Sequence, residues 1–434
     1  MAASWRNWAG NASCRPRIVE RPRDEGDVVA AIAAAGRDGR RVRVVGTGHS
    51  FTPLAVTDDT LLDVAALRGL RHLDEDGTAT FGAGTPLHEA SELLAAHGRA
   101  FENLGDIAVQ TVAGAVGTGT HGTGARFGNL SSTVVGGRLV TAAGEVLDVD
   151  GDLLPATQVS LGALGVLTEV RVRTVPAFTL EAVEAVRPVD EVLADLDDFV
   201  DGVDHAEFFW FPGSEVALTK RNARSQAPPA PRGRLERLVG DELVGNLAFG
   251  TLVRACERVP RAVGGIHAVL RRLPESRFAE RSDQVFASPR RVRFVEMEQS
   301  VPREAFPEAF ARLRAFLERD GRAVPFPVEC RWVAGDDAYL SPAHGGPRAY
   351  LAVHLSPRRH DPSWFAAIEE LWRPLGARPH WGKLHTRRAA DLAPAYPRWA
   401  DFQAVRRELD PTGVFGNVHL DRVLGALPRT EAAA

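Results

Sequence analysis

Lysine is nearly missing from this chain of 434 residues. Of its 52 basic residues only Lys220 and Lys383 are lysines, so arginine supplies almost all of the positive charge. A lysine kept against that bias can mark a place that needs a compact, titratable ammonium. Chance survival of two lysines is the alternative, and composition alone leaves both interpretations open.

Cysteine and long apolar runs are also scarce. The three cysteines, at positions 14, 256 and 330, lie far apart, which argues against a disulfide framework and predicts a reducing, cytoplasmic setting. No apolar run approaches the length of a membrane-spanning helix, and residues 1–17 contain no continuous apolar segment of a secretory signal. The net charge is -4, and acidic residues interleave with the arginines between 254 and 293. We therefore expect a soluble protein with neither a membrane span nor a nucleic-acid surface.

Glycine, by contrast, is concentrated in short segments of the first half of the chain. In residues 44–50 (VVGTGHS) an apolar run breaks at Gly46 and Gly48 and then presents His49. Glycine tolerates positive φ and leaves its N–H exposed, so this segment can form a concave nest for an anionic oxygen such as a phosphate. A strand-to-loop turn with a solvated histidine is the alternative.

A second glycine segment covers residues 112–124. It contains a formal GxGxxG at Gly117, Gly119 and Gly122, but further glycines follow at once and leave little room for the helix that a Rossmann motif requires. We interpret it as an extended loop whose threonines and amides wrap a diphosphate, with a buried turn as the alternative. A third segment, residues 161–168, leads into an alternating strand at 169–173.

The chain is long enough for two domains, and its character changes after residue 176. Before that point strands and helices alternate; beyond it glycines are fewer and helices longer, which predicts a sheet with covering helices. The expected later strands are 207–211, 217–222, 292–300, 328–332 and 350–354, and the expected helices are 189–200, 234–273 with a break at Gly264–Gly265, and 304–319. The fold class is therefore α+β. We expect domains at 10–178 and 179–384, with 385–426 returning to the first.

Several motifs together resemble one known family. The glycine segments spell GxGHS and GxxxxGTHGxG, and residues 329–331 (ECR), 335–342 (GDDAYLSP) and 380–383 (HWGK) continue the resemblance through the second domain. The chain resembles the vanillyl-alcohol-oxidase flavoproteins from residue 17 to 424, in their sugar-1,4-lactone oxidase branch, with the alditol oxidases as neighbours. The resemblance implies a two-domain fold, an FAD-binding domain of small sheets followed by a substrate cap with an antiparallel sheet.

The resemblance also implies an FAD cofactor bonded covalently, through its 8α carbon, to His49. Gly105 falls where the family has a small gate beside flavin C4a, and glycine there admits dioxygen. The residues carried over as cofactor-binding are Val45, Gly46, Thr47, Gly48, His49, Ser50, Gly105, Gly114, Gly117, Thr118, Gly119, His121, Gly122, Gly124, Gly165 and Val166.

Four residues are candidates for catalysis. Hydride transfer from a carbinol carbon to flavin N5 needs an acceptor for the hydroxyl proton and cations near N1 and C2=O. Glu329 and Arg331 lie two apart on an expected strand and so share a face. His354 is a candidate proton carrier, and Lys383 is the lysine of the HWGK motif; an ordinary ion pair or a core histidine is the alternative for each.

The substrate-binding candidates are Glu296, Glu298 and Asp106, with no metal site expected. Asp106 stands where alditol oxidases carry a serine, and Glu296 where they carry a glutamine, which favours the lactone branch. The sequence therefore predicts a monomeric FAD-dependent oxidase of a small sugar-1,4-lactone that reduces O2 to H2O2, with few apolar walls in its pocket. An alditol oxidase and a non-catalytic flavin-binding protein are the alternatives, and the second needs none of the catalytic candidates.

Overall fold

The computed structural model of the chain describes residues 4–225, 230, 233, 249–259, 263–288 and 291–428. Within these residues the main sheets have three, five and eight strands, and all but the three-stranded sheet are antiparallel. None of the described helices combines the length and the apolar composition that a bilayer crossing requires. The α+β prediction with two kinds of sheet is confirmed.

The first part of the chain contains the two smaller main sheets. Its strands are β1 (Trp5–Arg6), β2 (Ser13–Cys14), β3 (Ile18–Glu20), β4 (Val42–Val45), β5 (Thr60–Asp63), β6 (Leu70–Leu73), β7 (Thr78–Gly82), β8 (Arg99–Ala100), β9 (Val134–Val140), β10 (Val146–Val149), β11 (Val166–Arg173) and β12 (Val175–Pro176). Its helices are α1 (Glu25–Arg37), α2 (Leu87–Ala96), α3 (Val112–Gly117) and α4 (Leu154–Thr157). Strands β3, β5 and β4 form the parallel sheet, and β10, β9, β11, β7 and β6 form the five-stranded one.

The middle of the chain forms the eight-stranded sheet. Its strands are β13 (Thr179–Pro188), β14 (His205–Trp210), β15 (Val216–Ser225), β16 (Ser276–Arg281), β17 (Val295–Pro302), β18 (Val328–Val333), β19 (Arg348–Leu355) and β20 (Arg378–Pro379). Its helices are α5 (Val189–Ala194), α6 (Leu196–Asp201), α7 (Phe249–Arg258), α8 (Val263–Leu270), α9 (Ser282–Phe286), α10 (Phe306–Asp320) and α11 (Pro362–Trp372). The strands follow the order β16, β13, β15, β14, β18, β19, β17, β20.

The two faces of this sheet differ, because successive side chains of a strand point to opposite sides. In β18 the apolar positions Val328, Cys330 and Trp332 pack into a core with the aromatic side chains of α10 and α11. The intervening Glu329 and Arg331 therefore lie on the opposite face. That polar face lines one of the two cavities of the candidate active site.

The last segment contains α12 (Ala389–Leu392), α13 (Trp399–Leu409) and α14 (Val418–Leu424) and packs back on the first part of the chain. The Val42 amide donates to the Val414 carbonyl over 2.8 Å, and Phe415 shares a core with residues of α1 and β5. The domain limits 10–178, 179–384 and 385–426 stay a prediction.

Several local predictions need correction. The expected helix at 189–200 is two short helices separated at Asp195. Gly264 and Gly265 lie inside α8 and do not break a helix, while residues 234–248 of that expected helix lie outside the described residues. The expected extended loop at 112–124 begins as helix α3, because the Thr111 hydroxyl accepts from the Gly114 amide and caps it.

Candidate active site

Two cavities meet at His49. The first, the glycine cavity, is lined by the three glycine segments, and the second, the sheet cavity, lies against the polar face of the eight-stranded sheet. His49, Ser50, Gln110 and Thr118 line both. A single elongated ligand can therefore pass from one cavity into the other beside the histidine.

The glycine cavity is built mainly from backbone and suits an anion. The predicted residues that line it are Val45, Gly46, Thr47, Gly48, His49, Ser50, Gly114, Gly117, Thr118 and Gly165. No carboxylate occurs among its described lining residues, which include Arg43. A Cβ on Gly46 would lie 2.4 Å from the Thr111 hydroxyl oxygen, so only glycine allows this close approach.

Arg43 holds this cavity together from inside strand β4. Its guanidinium donates to the carbonyl oxygens of Leu54, Leu161, Gly162 and Phe415 at 2.5–2.9 Å. Burial lowers the pKa of Arg43 to about 10, so the side chain stays charged at neutral pH. Four carbonyl partners compensate the cost of burying the charge and join the third glycine segment to the C-terminal segment.

Four residues carried over as cofactor-binding lie outside the described linings of both cavities: Gly119, Gly122, Gly124 and Val166. A Cβ on Gly122 would lie 2.2 Å from the Leu104 carbonyl oxygen, and the Gly124 amide donates to the Trp332 carbonyl over 2.7 Å. Val166 is buried in an apolar core. In this structure Gly122, Gly124 and Val166 pack closely against other segments, and the contact of all four residues with the cofactor stays a prediction.

A row of charged and titratable side chains crosses the sheet cavity from His121 to His354. The His121 Nε2 atom lies 3.2 Å from Glu298, and the Lys383 ammonium lies 4.0 Å from Glu298 and in contact with Glu296. Glu296 in turn lies 3.6 Å from the Nε2 atom of His354. Glu296 and His354 are cross-strand partners in β17 and β19, so the sheet register sets this spacing.

The charged side chains of this row stabilise one another. Burial alone would lower the pKa of the Lys383 ammonium, but Glu296 and Glu298 outweigh it and hold that pKa above its usual value. Burial would likewise raise the pKa of Glu296, yet Lys383 and His354 hold it below its usual value. Lys383 is therefore a fixed cation at neutral pH and not a proton acceptor.

A second group of charges surrounds Arg331. Its guanidinium contacts Asp106 and Glu329, and its Nε atom lies 2.7 Å from Glu207. Glu207 also lies 3.7 Å from the ammonium of Lys220. Arg331, Glu207 and Lys220 are directly opposite one another on β18, β14 and β15, which puts all three on the cavity face.

The three carboxylates around Arg331 outnumber the two cations of this group, Arg331 and Lys220. Burial raises the pKa of Glu329 well above its usual value; Arg331 opposes this shift, and the nearby Asp106 and Glu207 add to it. Glu329 therefore keeps its proton to a higher pH than an exposed glutamate does. When protonated, it can donate a hydrogen bond to a ligand oxygen.

His354 has one nitrogen available for a proton. Its Nδ1 atom lies 3.0 Å from the Pro327 carbonyl oxygen, which can only accept, so Nδ1 carries hydrogen. The lone pair of the neutral ring is then on Nε2, the atom facing Glu296. A carboxylate at that distance stabilises the ring once Nε2 takes up a proton.

The architecture and the site agree with what comparison with known proteins shows. The sequence profile of the D-arabinono-1,4-lactone oxidase family matches residues 170–423, more than half of the chain. The chain belongs to this family. A profile described as an FAD binding domain matches residues 16–150.

Relatives of this lactone oxidase family match along nearly the whole chain. L-gulono-1,4-lactone dehydrogenase of Mycobacterium tuberculosis is 42% identical over 431 residues, 98% of this chain and 100% of that protein. L-gulonolactone oxidase of Mus musculus is 31% identical over 96% of this chain and 98% of its own. Among solved structures, cholesterol oxidase of Brevibacterium sterolicum has a TM-score of 0.81 over 98% of this chain and 97% of that one; at 19% identity this likeness shows the fold alone.

The chain is therefore an FAD-dependent oxidoreductase, and the non-catalytic alternative is wrong. FAD fits the observed cavities. The backbone-lined cavity without a carboxylate suits a diphosphate, and it joins the larger cavity at the histidine of the GHS segment. Burial lowers the pKa of His49, which keeps its imidazole neutral.

The sheet cavity of this chain contains every predicted catalytic and substrate-binding residue. Glu329, Arg331, His354, Lys383, Glu296, Glu298 and Asp106 all line it, as do Gly105 and His121. The expectation of few apolar walls needs correction, since Ile107, Phe209, Phe211, Leu218, Val292, Phe294, Phe326 and Pro327 also line it. The cavity thus combines a charged floor with apolar and aromatic walls.

Sequence analysis missed two charged residues of this site. Lys220 lines the sheet cavity, and buried Glu207 joins it to Arg331. The scarcity of lysine was a usable signal for Lys220, because both lysines of the chain line the same cavity. Glu207 had no such signal, since its importance comes only from the pairing of β14 with β18.

Three groups of histidines and carboxylates in this cavity have the spacing of metal ligands: His121, Glu298 and His380; Glu296, Glu329 and His354; and Asp106, Glu207 and Glu329. Each group already contains a carboxylate paired with Lys383 or Arg331. These cations occupy the place that a metal charge would take.

Proposed function

We propose that this protein oxidises a carbinol carbon of a sugar-1,4-lactone of the gulono, galactono or arabinono type. One observation carries the proposal: the cavity lined by the charged candidate residues joins the glycine cavity at His49. A polyhydroxylated ring bound there meets donors and acceptors on one side and the cofactor on the other. Bound FAD supplies a two-electron acceptor at N5 for the substrate hydride.

His354 is the proton acceptor in this proposal. As the hydride leaves the carbinol carbon, the hydroxyl proton passes to the Nε2 atom of His354, and Glu296 stabilises the charged ring. The hydroxyl becomes a carbonyl, so the substrate loses one hydride and one proton. Pro327 fixes the tautomer through Nδ1 and leaves Nε2 available.

Lys383 and the protonated Glu329 orient the substrate. The Lys383 ammonium, held charged by Glu296 and Glu298, can turn its remaining N–H groups toward a hydroxyl or ring oxygen. Glu329 donates to a second oxygen, and Arg331 is kept in place from behind by Glu207. Two donors at separate positions restrict which carbinol carbon faces the flavin.

We also propose that His49 carries the FAD covalently. A neutral imidazole has a lone pair with which to bond the 8α carbon. His49 would hold the flavin through this bond, and the flavin itself would take up the two electrons and two protons released when the bond forms. The position of His49 in both cavities supports this assignment.

The electron acceptor in the proposal is dioxygen, reduced to H2O2. Gly105 lines the sheet cavity and supports access of dioxygen there. The relatives bear both names, oxidase and dehydrogenase, so the acceptor must be measured for this chain. We propose in addition a monomer of the cytoplasm; the three free thiols support a reducing compartment, and size-exclusion chromatography and cell fractionation test both parts.

The deciding experiment reduces the purified flavoprotein anaerobically with a panel of 1,4-lactones and alditols. We expect bleaching of the flavin to be fastest with a gulono-, galactono- or arabinono-1,4-lactone. An alditol as the best reductant would replace the lactone assignment by the polyol alternative. Admitting air and measuring H2O2 against reduction of a dye then separates an oxidase from a dehydrogenase.

A further inference from the structure

The N-terminal hairpin lies directly against the segment that presents His49. The Trp8 amide donates to the Gly48 carbonyl over 2.9 Å. The side-chain amides of Asn7 and Asn11 donate to the carbonyls of Ser50 and Phe51 at 2.9 and 2.8 Å. One short hairpin, β1 to β2, thus holds three backbone carbonyls on both sides of the histidine.

The indole of Trp8 stacks on the imidazole of His49. The ring centroids are 5.7 Å apart and the planes differ by 23°. The indole is itself held edge-on by Phe294, at 5.4 Å, and by Phe51, at 6.4 Å. Phe294 lies just before strand β17, so the hairpin bridges the His49 segment and the eight-stranded sheet.

The opposite side of the same segment is also fixed. The Phe51 amide donates to the Gly382 carbonyl over 2.7 Å, and the Thr52 hydroxyl donates to the Trp381 carbonyl over 3.0 Å. The backbone of the segment is therefore clamped between the hairpin and the HWGK motif. The imidazole itself has one hydrogen-bond partner among the described residues, the Thr47 hydroxyl, at 3.2 Å from Nδ1.

A single hydrogen bond does not fix the ring plane, because the torsion between a Cβ and an aromatic ring has a broad energy profile. A flat neighbour at stacking distance removes that freedom. We propose that Trp8 is the positioning residue for His49: it holds the imidazole in the orientation from which its nitrogen reaches the flavin 8α carbon. This inference rests on the covalent attachment proposed above and adds the N-terminal hairpin to the flavin site.

The test compares Trp8→Leu with Trp8→Phe in the full chain. Leucine fills the space between Phe51 and Phe294 but offers no flat face, whereas phenylalanine keeps one. Apoprotein from riboflavin-starved cells is mixed with FAD, and the flavin retained after acid precipitation is followed with time. The affinity for FAD before attachment and the thermal unfolding midpoint are measured on the same samples. Trp399→Ala, another half-buried tryptophan in the C-terminal segment, is the control for loss of an indole.

We expect Trp8→Leu to slow attachment about tenfold or more, since misplacing a reacting group by an ångström can cost up to ~10²-fold. Trp8→Phe and Trp399→Ala should attach FAD within a few-fold of the parental rate, with FAD affinity unchanged in all three variants. The unfolding midpoint should fall in Trp8→Leu and in Trp399→Ala, because each loses part of a packed indole, so a loss of stability alone does not account for slow attachment. Attachment at the parental rate in Trp8→Leu overturns the inference. Equally slow attachment in Trp8→Phe, or weaker FAD binding by Trp8→Leu, also overturns it, because size or cofactor affinity would then be the cause. Release of all flavin from the parent chain refutes the covalent bond itself, and that failure is visible without any variant.

Discussion

The glycine cavity and the sheet cavity are built in opposite ways. The glycine cavity is lined mainly by backbone. Gly46 is required there because a side chain would collide with Thr111, and the guanidinium of Arg43 donates its hydrogen bonds to protein carbonyls. The sheet cavity uses charged side chains whose partners come from other strands, as Glu296 does with Lys383. A site built from backbone can be recognised in short stretches of sequence, whereas a site built from side chains depends on how the strands pair.

Substitutions in the two cavities should therefore have different effects. A change in the sheet cavity leaves the fold and the bound cofactor intact and alters the rate of reaction. A change in the glycine cavity alters cofactor affinity first. Each of the following experiments separates these outcomes.

Lys383→Arg should have the largest effect. The ammonium contacts Glu296 and lies 5.2 Å from the centroid of the Phe51 ring, so the wider guanidinium does not fit the same space. We expect anaerobic flavin reduction to slow by on the order of 10²-fold, with FAD still bound. Lys220→Arg is the matched control, because Lys220 lines the same cavity but lies 3.7–3.8 Å from its carboxylate partners. Equal losses in the two variants would show that Lys383 has no special role.

Gly46→Ala should act on cofactor binding. The new Cβ would lie 2.4 Å from the Thr111 hydroxyl oxygen and force the segment apart. Overpacking of this kind costs ~1–3 kcal/mol, which is roughly tenfold in affinity for each 1.4 kcal/mol. We expect less FAD to copurify, and titration of apoprotein measures the change. Gly36→Ala in helix α1, where a Cβ meets nothing within 4 Å, should leave FAD content unchanged.

Gly105→Ala should slow reoxidation of the reduced protein by air severalfold. The Cβ would lie 2.9 Å from the His121 carbonyl oxygen, so that carbonyl must shift. Because His121 contacts Glu298, we expect reduction by substrate to slow slightly as well, and stopped-flow measurement of both half-reactions tests this. A variant that reoxidises at the parental rate would remove Gly105 from the path of dioxygen.

Glu329→Gln should have the smallest effect at neutral pH and a clear one at alkaline pH. Because burial raises the pKa of Glu329, we expect its carboxyl to hold a proton at neutral pH and to lose it as pH rises, which adds a negative charge beside Asp106 and Glu207. The parental reduction rate should therefore fall at alkaline pH. Glutamine cannot ionise, so the variant should keep a rate within a few-fold of the parent and lose that fall. A large loss at neutral pH would mean that the ionised carboxylate is the active form.

The same shift has a consequence for stability. The folded chain binds the Glu329 proton more tightly than the unfolded chain, so the free energy of unfolding decreases as pH rises through the interval between the two pKa values. In Glu329→Gln that contribution to the pH dependence should be absent. Denaturant unfolding of parent and variant at several pH values measures the difference.

Much of the fold was predictable because its elements follow local rules. The strand expected at 292–300 is found as β17, and its alternation puts Glu296 and Glu298 on one face. Helix α1 begins at Glu25, where the Asp24 side chain caps it by accepting from the Asp27 amide.

The pairings of the site were not predictable from local rules. Nothing near Glu207 in the sequence indicates Arg331, which is 124 residues away and meets it only when β14 pairs with β18. The apolar walls of the sheet cavity were missed for the same reason, as Phe209 and Leu218 are opposite each other on adjacent strands. The glycine motif did not predict that Gly122 and Gly124 approach protein backbone closely, because a motif does not distinguish a close approach to a ligand from one to protein backbone.

The hydrogen bonds from Arg43 to Phe415 and from Val42 to Val414 give this fold a late step in its synthesis. Arg43 and Phe415 are 372 residues apart. At ~5–20 residues per second, roughly 20–75 s pass on the ribosome between the appearance of strand β4 and of the segment that completes its surroundings. The strand that delivers the His49 segment must wait through that interval, during which all strands of the eight-stranded sheet, from β13 to β20, are made. Capture of FAD is consequently one of the last events in the maturation of the chain, and a ribosome that stalls before residue 410 releases a protein whose glycine cavity lacks its final support.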